Sequence, residues 1–240
     1  MRFKEFLNET ASNRELEYSE IVQLIKTDCA PFLEMSKGYP LLRGIKPEPA
    51  SYFYTEQPVK RRAVDSDAGF NVFFNLGYQA AYGTQNVRTL SFFASGSETI
   101  AKAYGKTYYI FPKGDFHFTF GEDIKDSWMS YTLFCTDLIN KIRDIEEFET
   151  GTLYAISRLF RIASADISDN AKFESEEVDN ALSAAFTYMF PNADIMSELQ
   201  LDKFKSAWRG VIEDRYEENM NLTEALDSDL EILFFHGEGY

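Results

Sequence analysis

The sequence predicts an α+β fold. Between residues 39 and 121, aromatic and aliphatic runs alternate with turn signals, as short strands do. Residues 122–212 then hold four helical patterns in a row, and residues 213–240 form an acidic stretch followed by the strand-like run "LEILFF". Because the chain returns to strand after its helices, we expect one α+β domain over residues 1–240, with a helical insertion, rather than two independent domains.

Length and charge limit the class of protein. The chain has 240 residues, of which 45% are hydrophobic, enough for a sizeable core. Its formal net charge is −15 at pH 7 and its pI is about 4.6. This charge disfavours non-specific binding to nucleic acid or anionic lipid, because both need a basic face. It permits a basic protein partner, and it also permits mimicry of DNA.

The residues typical of metal sites, disulfides and membrane segments are scarce. Cys29 and Cys135 lie far apart and make neither a disulfide framework nor a metal-ligand pattern. His117 and His236 are too few for a histidine zinc site. The N-terminal segment is too polar for a signal peptide, and no apolar run reaches the roughly 20 residues that span a bilayer. We therefore expect a soluble cytoplasmic protein.

The first predicted elements are a helical segment and a strand. Residues 1–38 are predicted to be helical, with Ser19 as a candidate N-cap and Gly38 at the end. Pro31 is expected to break or kink this segment. The apolar run "YPLLRGI", residues 39–45, is predicted to be the first core strand, and the breaker "KPEP" ends it.

Helix and strand patterns then alternate up to residue 123. The predicted elements are a loop over 46–68, an aromatic helix over 70–83, a strand over 87–95, a helix over 96–106, and strands over 107–112 and 115–123. Ser97 is the candidate N-cap of the 96–106 helix, and Gly105 is expected to close it.

The rest of the chain is helical before its last strand. The four helical patterns are "DSWMSYTLFCTDLINKIRDIEEF", "TGTLYAISRLFRIASA", "SEEVDNALSAAFTYMF" and "LDKFKSAWRGVIEDRY". Residues 213–231 hold eight acids and one arginine, which indicates either a solvated surface loop or a surface that meets a basic partner.

Polar residues at the ends of the predicted strands are the candidate site residues. Arg43 ends an apolar run, and burial of its guanidinium is costly without an anionic partner. Ser95 and Ser97 flank a glycine at a strand-to-helix turn, where hydroxyls and free N–H groups can hold an anion. Glu231 begins the last strand, two residues after Asp229. Each feature also has an ordinary structural explanation: a salt bridge, an N-cap and a solvated strand end.

The order of these features resembles the Arg–Ser–Glu class of mono-ADP-ribosyltransferases. The resemblance rests on "LLRG", then "FASGS", then "DLEILF". Three departures are Gly96 in place of the middle threonine of the serine motif, Asp229 in place of Glu or Gln two residues before the catalytic Glu, and the long helical insertion. Ser91 is a second candidate for the motif serine. The stretch around "FASGSETIAKAYGKTYYIF" also resembles bacteriophage proteins in its texture, and a phage origin would place the protein in the host cytoplasm.

The resemblance implies a split-sheet ADP-ribosyltransferase core and a set of roles around NAD as substrate. Glu231 would be the catalytic residue, accepting a hydrogen bond from the ribose 2′-OH and stabilising positive charge on the ribose. Arg43 would hold the pyrophosphate, and Ser95, Ser97 or Ser91 would orient the glutamate. Asp229, before the catalytic residue, would help to recognise a protein acceptor. A basic side chain is the expected acceptor, because an acidic loop repels phosphates.

Two other functions fit the same sequence. One is a non-enzymatic acidic interaction protein, which binds a host factor or mimics DNA. The other is an NAD glycohydrolase with the same fold, which transfers ADP-ribose to water. The basic cluster "KRR", residues 60–62, fits pairing with acids elsewhere better than it fits binding to ligand phosphates.

Overall fold

The structure is a computed structural model, and it describes residues 14–15, 17–46, 53–54, 68–127, 129–142, 153–168, 170–191 and 197–235. These residues belong to two compact units. The sheet unit is drawn from residues 1–61, 90–125 and 216–240, and the helical unit from residues 62–89 and 126–215. The "KRR" cluster and His236 lie outside the described residues.

The described part of the sheet unit contains eight strands and four helices. Its elements in chain order are β1 (Arg14–Glu15), α1 (Tyr18–Asp28), α2 (Ala30–Ser36), β2 (Leu42–Ile45), β3 (Phe53–Tyr54), β4 (Phe92–Ala94), α5 (Glu98–Tyr104), β5 (Lys106–Tyr109), β6 (His117–Gly121), β7 (Tyr216–Glu218), α10 (Leu222–Leu226) and β8 (Ile232–Phe235).

The strands form antiparallel ladders between distant parts of the sequence. Four of them make one sheet in the order β4-β8-β6-β7, while β2 pairs with β5 and β1 with β3. Leu42 of β2 and Ser95, the residue after β4, exchange two backbone hydrogen bonds of 2.8 and 2.9 Å. This bridge places β2 beside β4 and so continues the sheet towards β5.

One face of the four-stranded sheet carries the core of this unit. Aromatic and aliphatic side chains alternate inwards along β6 and β8, as the period of a strand requires. They cluster with residues of β4, α2 and α10, and the buried members are Phe32, Leu41, Ala94, Phe118, Phe120, Leu222, Ala225, Leu226, Ile232 and Phe234.

The helical unit is built from long amphipathic helices. Its elements are α3 (Ala68–Tyr82), α4 (Val87–Leu90, whose last residue belongs to the sheet unit), α6 (Tyr131–Ile142), α7 (Leu153–Asp166), α8 (Glu176–Met189) and α9 (Glu198–Glu213). Ser175 caps α8, and Ser197 and Gln200 form a capping box at α9. The centre of this unit is Trp208, whose ring stacks on Phe73 at 5.3 Å and meets Phe160 edge-on at 4.5 Å.

The structure confirms the α+β class and the series of four helices, which are α6, α7, α8 and α9. It also confirms the helix that starts after Ser97 and is followed by Gly105. Pro31 lies in the first turn of α2, after the break between α1 and α2. The assignment of residues 1–240 to one domain stays a prediction.

Several local predictions are wrong. The segment over 1–38, predicted to be helical, contains β1, and the predicted loop over 46–68 contains β3. Residues 87–90 are helical, not the start of a strand, because the N–H of Arg88 bonds Asn75 at 2.8 Å and its Nε bonds Asn71 at 2.8 Å. Helix α1 begins at Tyr18 after Glu17, so Ser19 is not its N-cap. The acidic stretch is not all loop, since it contains β7 and α10. In α10 the apolar residues recur at helical spacing and are buried.

Candidate functional site

The strand order brings together the three chain segments that carry Arg43, Ser95 and Glu231. Arg43 lies in β2, next to Leu42, which is bridged to Ser95. On the other side of β4, Ala94 pairs with Ile232 of β8. Continued by one residue, that register sets Ser95 opposite Glu231. Arg43 and Ser95, more than 50 positions apart in sequence, are therefore on neighbouring strands, and so are Ser95 and Glu231, more than 130 positions apart. Neighbouring strands of a sheet are spaced about 4.8 Å apart.

The alternation of side chains separates Arg43 from the other two. Directly opposite residues of an antiparallel pair share a face, and successive residues point to opposite faces. Ser95 shares the face of Leu42, so Arg43 points to the other face. Its position agrees with this, because the Arg43 Cζ atom lies 5.2 Å from the ring centre of Phe92. Glu231 follows the face of Ser95, opposite to that of Arg43.

The three candidate serines differ in their access to a ligand. Ser91 is fully buried, and Ser95 is 2% exposed. The Ser95 hydroxyl accepts a hydrogen bond from the Ser97 N–H at 3.1 Å, so it closes the turn between β4 and α5. Ser97 is half-buried at the N-cap position of α5, and its side chain makes no capping hydrogen bond. Ser97 is therefore the serine whose hydroxyl is best placed to meet a ligand.

Packing explains why position 96, where this chain departs from the serine motif, is a glycine. A Cβ atom on Gly96 would lie 1.7 Å from the carbonyl oxygen of Leu226, at the end of α10. Only glycine allows the turn to approach that helix end so closely. The same contact brings the turn after β4 against the residues that follow α10.

An open pocket of about 500 Å³ lies at this contact. Its lining comes from the segment before β2, from the serine turn and from the turn after α10, and comprises Tyr39, Pro40, Gly96, Ser97, Leu226, Asp227, Ser228 and Asp229. Two predicted site residues, Ser97 and Asp229, thus share one pocket. Arg43, Ser91, Ser95 and Glu231 are not among its lining residues.

The turn that forms the acidic wall of the pocket is held by local hydrogen bonds. The Ser228 hydroxyl donates to the Ala225 carbonyl at 2.6 Å and accepts from the Leu230 N–H at 3.3 Å. Next to it, the Glu231 N–H donates to the Ile124 carbonyl at 3.0 Å. These bonds fix the backbone on both sides of Asp229.

The charge of the pocket is partly balanced by one lysine. Lys125 forms an ion pair with Asp229, and both side chains are about half exposed. The hydrogen bond from Lys125 holds the pKa of Asp229 below its usual value. Asp227, the other carboxylate of the pocket wall, is exposed. The described wall of the pocket is therefore acidic, and Lys125 lies beside it.

Several residues of this pocket, among them Tyr39, Pro40 and Asp227, were not among the predicted site residues. Asp227 belongs to the acidic stretch of residues 213–231, so the composition of that stretch already indicated it. Tyr39 and Pro40 precede β2 and gave no signal of their own, because their place in the pocket depends on the packing of α10.

Other chemistries have little support in the described residues. Burial raises the pKa of Cys29 and Cys135 to about 11, so neither thiol is a ready nucleophile at neutral pH. Among the residues that the structure describes, no group of three His, Cys, Asp or Glu side chains could hold a metal ion. In the same residues, no helix combines the length and the apolar character needed to cross a membrane.

Comparisons with protein-family models, with curated proteins and with solved structures gave no match.

Proposed function

We propose that this protein is an NAD-dependent mono-ADP-ribosyltransferase that modifies a basic side chain of a protein acceptor. The observation that carries the proposal is the strand order, which sets the chain segments of Arg43, Ser95 and Glu231 on three neighbouring strands. The resemblance to ADP-ribosyltransferases gives these three segments the arginine, serine and glutamate roles, and their neighbouring positions support that interpretation. The acidic pocket beside them supports the choice of acceptor.

In the proposed reaction, the bond between nicotinamide and ribose C1′ breaks and nicotinamide leaves with the bonding electrons. Positive charge then develops on the ribose. The carboxylate of Glu231 stabilises that charge and holds the ribose 2′-OH, and Ser97 supplies the hydroxyl that orients the carboxylate. A nitrogen of the acceptor attacks C1′ and loses its proton, which yields the ADP-ribosylated side chain.

The pocket fits a cation better than it fits the pyrophosphate of NAD. Asp227 and Asp229 stand on its wall, and two carboxylates repel a phosphate at this range. The same carboxylates attract a guanidinium or an ammonium group. The proposal therefore assigns this pocket to the acceptor side chain, with Asp229 as an acceptor-recognition residue.

Substitution of Arg43 tests whether this residue belongs to the proposed NAD site. The proposal gives Arg43 the pyrophosphate, yet its side chain points to the face opposite to that of Glu231. If Arg43 binds the pyrophosphate, Arg43→Lys should raise the KM for NAD with a smaller effect on kcat, because a lysine cannot reproduce the two-pronged contact. An unchanged KM would remove Arg43 from the site.

The experiment measures nicotinamide release from NAD by chromatography, with and without a lysate that contains acceptor proteins. Wild type is compared with Glu231→Gln and with Glu217→Gln, which changes an exposed glutamate of β7 and serves as the matched control. We expect Glu231→Gln to lower the rate about a hundredfold or more and Glu217→Gln to leave it unchanged. Release that needs lysate supports the transferase, and release that does not need it supports an NAD glycohydrolase.

A second candidate function is a non-enzymatic acidic binding protein. The acidic wall of the pocket, Asp227 and Asp229, is the observation that favours it, because a basic segment of a partner could bind there without any reaction. Absence of nicotinamide release under every condition, together with no thermal shift on addition of NAD, would exclude the enzyme. Binding of a basic peptide that Asp229→Asn weakens would then support the binding protein.

A further inference from the structure

The strands β2 and β5 form a basic region in an acidic protein. Residues 39–46 contain Arg43 and Lys46, residues 102–113 contain three lysines, and neither segment contains an aspartate or a glutamate. Two of the three lysines form ion pairs with other segments, Lys102 with Glu98 and Lys113 with Asp28, both at 2.8 Å. Only Lys46 and Lys106 are therefore considered as contacts for a ligand. The whole chain has 24 basic and 39 acidic residues, so this composition departs strongly from the average. Ile45 pairs with Lys106, which sets Lys46 and Lys106 at the same end of the two strands.

The outer edge of β5 presents unused backbone groups. The N–H of Ile110 donates to the carbonyl of Leu41 at 2.9 Å, so Ile110 and every second residue before it bond towards β2. The N–H and C=O groups of Thr107 and Tyr109 therefore point away from β2. Among the described residues, no hydrogen bond occupies these outward groups.

The hydrogen bonds of β2 with the residue after β4 confirm which backbone groups point out of the β2–β5 ladder. Leu42 is the partner of Tyr109, and its backbone groups must also point away from their shared ladder. They do so, because Leu42 exchanges hydrogen bonds with Ser95. The inner edge of this strand pair is thus filled, and the outer edge at Thr107 and Tyr109 is open in the part of the chain that the structure describes.

Exposed aromatic side chains belong to the edge strand and to the end of the helix that precedes it in sequence. Tyr109 is 69% exposed and Tyr104, at the end of α5, is 50% exposed. Large exposed aromatics are typical of surfaces that bind other proteins. An exposed edge strand with outward N–H and C=O groups is the feature that binds a further strand in β-augmentation.

We propose that the outer edge of β5 binds an extended, acidic segment of a partner protein as an additional strand. Backbone hydrogen bonds from Thr107 and Tyr109 hold the segment, and the lysines at positions 46 and 106 select acidic side chains. The charge of the molecule also argues against a second copy of this chain, since two molecules of net charge −15 repel each other. This inference is independent of the proposed NAD chemistry and uses a different surface.

The probe for this surface is a capped seven-residue peptide of alternating glutamate and valine, and the control is the same peptide with lysine in place of glutamate. We expect millimolar glutamate peptide to slow amide hydrogen exchange at Thr107 and Tyr109, and the lysine peptide to leave it unchanged. Equal effects of the two peptides, or no change at either amide, would overturn the proposal.

Two substitutions at Tyr109 isolate the backbone contact. Tyr109→Pro removes the outward N–H and the tyrosine ring but breaks no hydrogen bond to β2. Tyr109→Thr also removes the ring but keeps the N–H, so it is the matched control. Binding of the glutamate peptide should be about fivefold to tenfold weaker with proline than with threonine, and equal affinities would contradict the predicted strand addition.

A charge reversal provides a readout that does not depend on folding of the proline variant. Lys106→Glu should weaken the glutamate peptide and allow the lysine peptide to bind, and unchanged preference would overturn the assignment of an acidic partner. Dimerisation of the wild type that protects Thr107 and Tyr109 without any peptide would overturn it in favour of a second copy.

Discussion

The helical unit and the sheet unit obtain their order in different ways. In the helical unit, α6, α7, α8 and α9 have 12, 14, 14 and 16 residues, and each buries a stripe that is visible in its own sequence. The strands of the sheet unit have two to five residues, and β4 pairs with β8 across about 140 positions of sequence. The first unit is specified mainly by local patterns, and the second by contacts between distant segments.

The polar groups of Arg88 and those of the pocket also have different surroundings: the first are buried in the packing of the helical unit, and the second line an open pocket in the sheet unit. In the helical unit, the buried Arg88 lies 4.7 Å from the ring centre of Phe70 and donates to Asn71, so its polar groups serve the packing of helices. In the sheet unit, Ser97 and Asp229 stand at strand and helix ends around an open pocket. Of these two sites, only the one in the sheet unit therefore has polar groups that a ligand can reach.

A glycine substitution in each unit gives the largest expected contrast. Gly96→Ala places a Cβ atom 1.7 Å from the Leu226 carbonyl, where only backbone can move, so we expect loss of the folded sheet unit. Gly210→Ala in α9 meets only the side chain of Lys141, at 3.1 Å, and should be neutral or stabilise by up to about 1 kcal/mol through helix propensity. Thermal unfolding followed by circular dichroism distinguishes the two. A folded Gly96→Ala variant with unchanged Tm would show that the turn and α10 do not meet as described.

Removal of the central ring of the helical unit is expected to have the next largest effect. Trp208 is fully buried among Phe73, Phe160 and Phe204, and its Nε1 donates to the Phe73 carbonyl at 3.1 Å. Trp208→Ala should lower the free energy of unfolding by about 3–5 kcal/mol, because it leaves a large cavity. Trp208→Phe, which keeps a ring but loses the hydrogen bond, should cost less. Equal costs in urea unfolding would mean that the hydrogen bond, and not the packing, dominates.

Much of the helical unit could be predicted from the sequence, and less of the sheet unit. Periodicity found α6 to α9 because each helix carries its own apolar stripe. It missed α10 because five residues are too few for a clear period and acids surround them. It assigned a strand to residues 87–90 because propensity cannot include the hydrogen bonds that Arg88 donates to Asn71 and Asn75, which hold this turn.

For the candidate site, the sequence predicted which segments lie close together better than it predicted which side chains meet. The strands of Arg43, Ser95 and Glu231 are neighbours in the structure, and only the resemblance, not the local sequence pattern, indicated that these segments come together. The face of Arg43 depends on its register with Ser95, and one residue of register moves a side chain to the other face. The pocket depends on the contact between Gly96 and α10, which no local pattern encodes.

Thiol labelling compares the opening of the two units. Cys29 lies in the sheet unit and Cys135 in the helical unit, and burial raises the pKa of both thiols to about 11. At pH 8 the folded protein should react with a disulfide reagent about a hundredfold more slowly than a free thiol, because so little thiolate is present. Labelling the single-thiol variants Cys29→Ala and Cys135→Ala reports each unit separately.

We expect Cys29 to be labelled faster than Cys135, since the short strands of its unit leave fewer local contacts to break. Equal rates would indicate that both units open in one step. Faster labelling of Cys135 would contradict the view that the helical unit is the more firmly ordered of the two.

The smallest expected effect concerns the surface charges of the sheet unit. Lys125 lowers the pKa of Asp229, and Lys113 lowers that of Asp28. A carboxyl whose pKa is lowered by folding stabilises the protein above its ordinary pKa near 3.8, and this contribution disappears as the pH falls through the lowered value. Lys125→Met should therefore raise the pKa of Asp229 towards 3.8 in a carbon-13 NMR titration and leave Asp28 unchanged, while Lys113→Met should do the reverse. High salt should reduce both pKa shifts, because the ion pairs are exposed.

A pKa of Asp229 that does not respond to Lys125→Met would mean that the lysine does not hold the pocket carboxylate in solution. Asp229 would then be available to a basic acceptor without competition from the lysine.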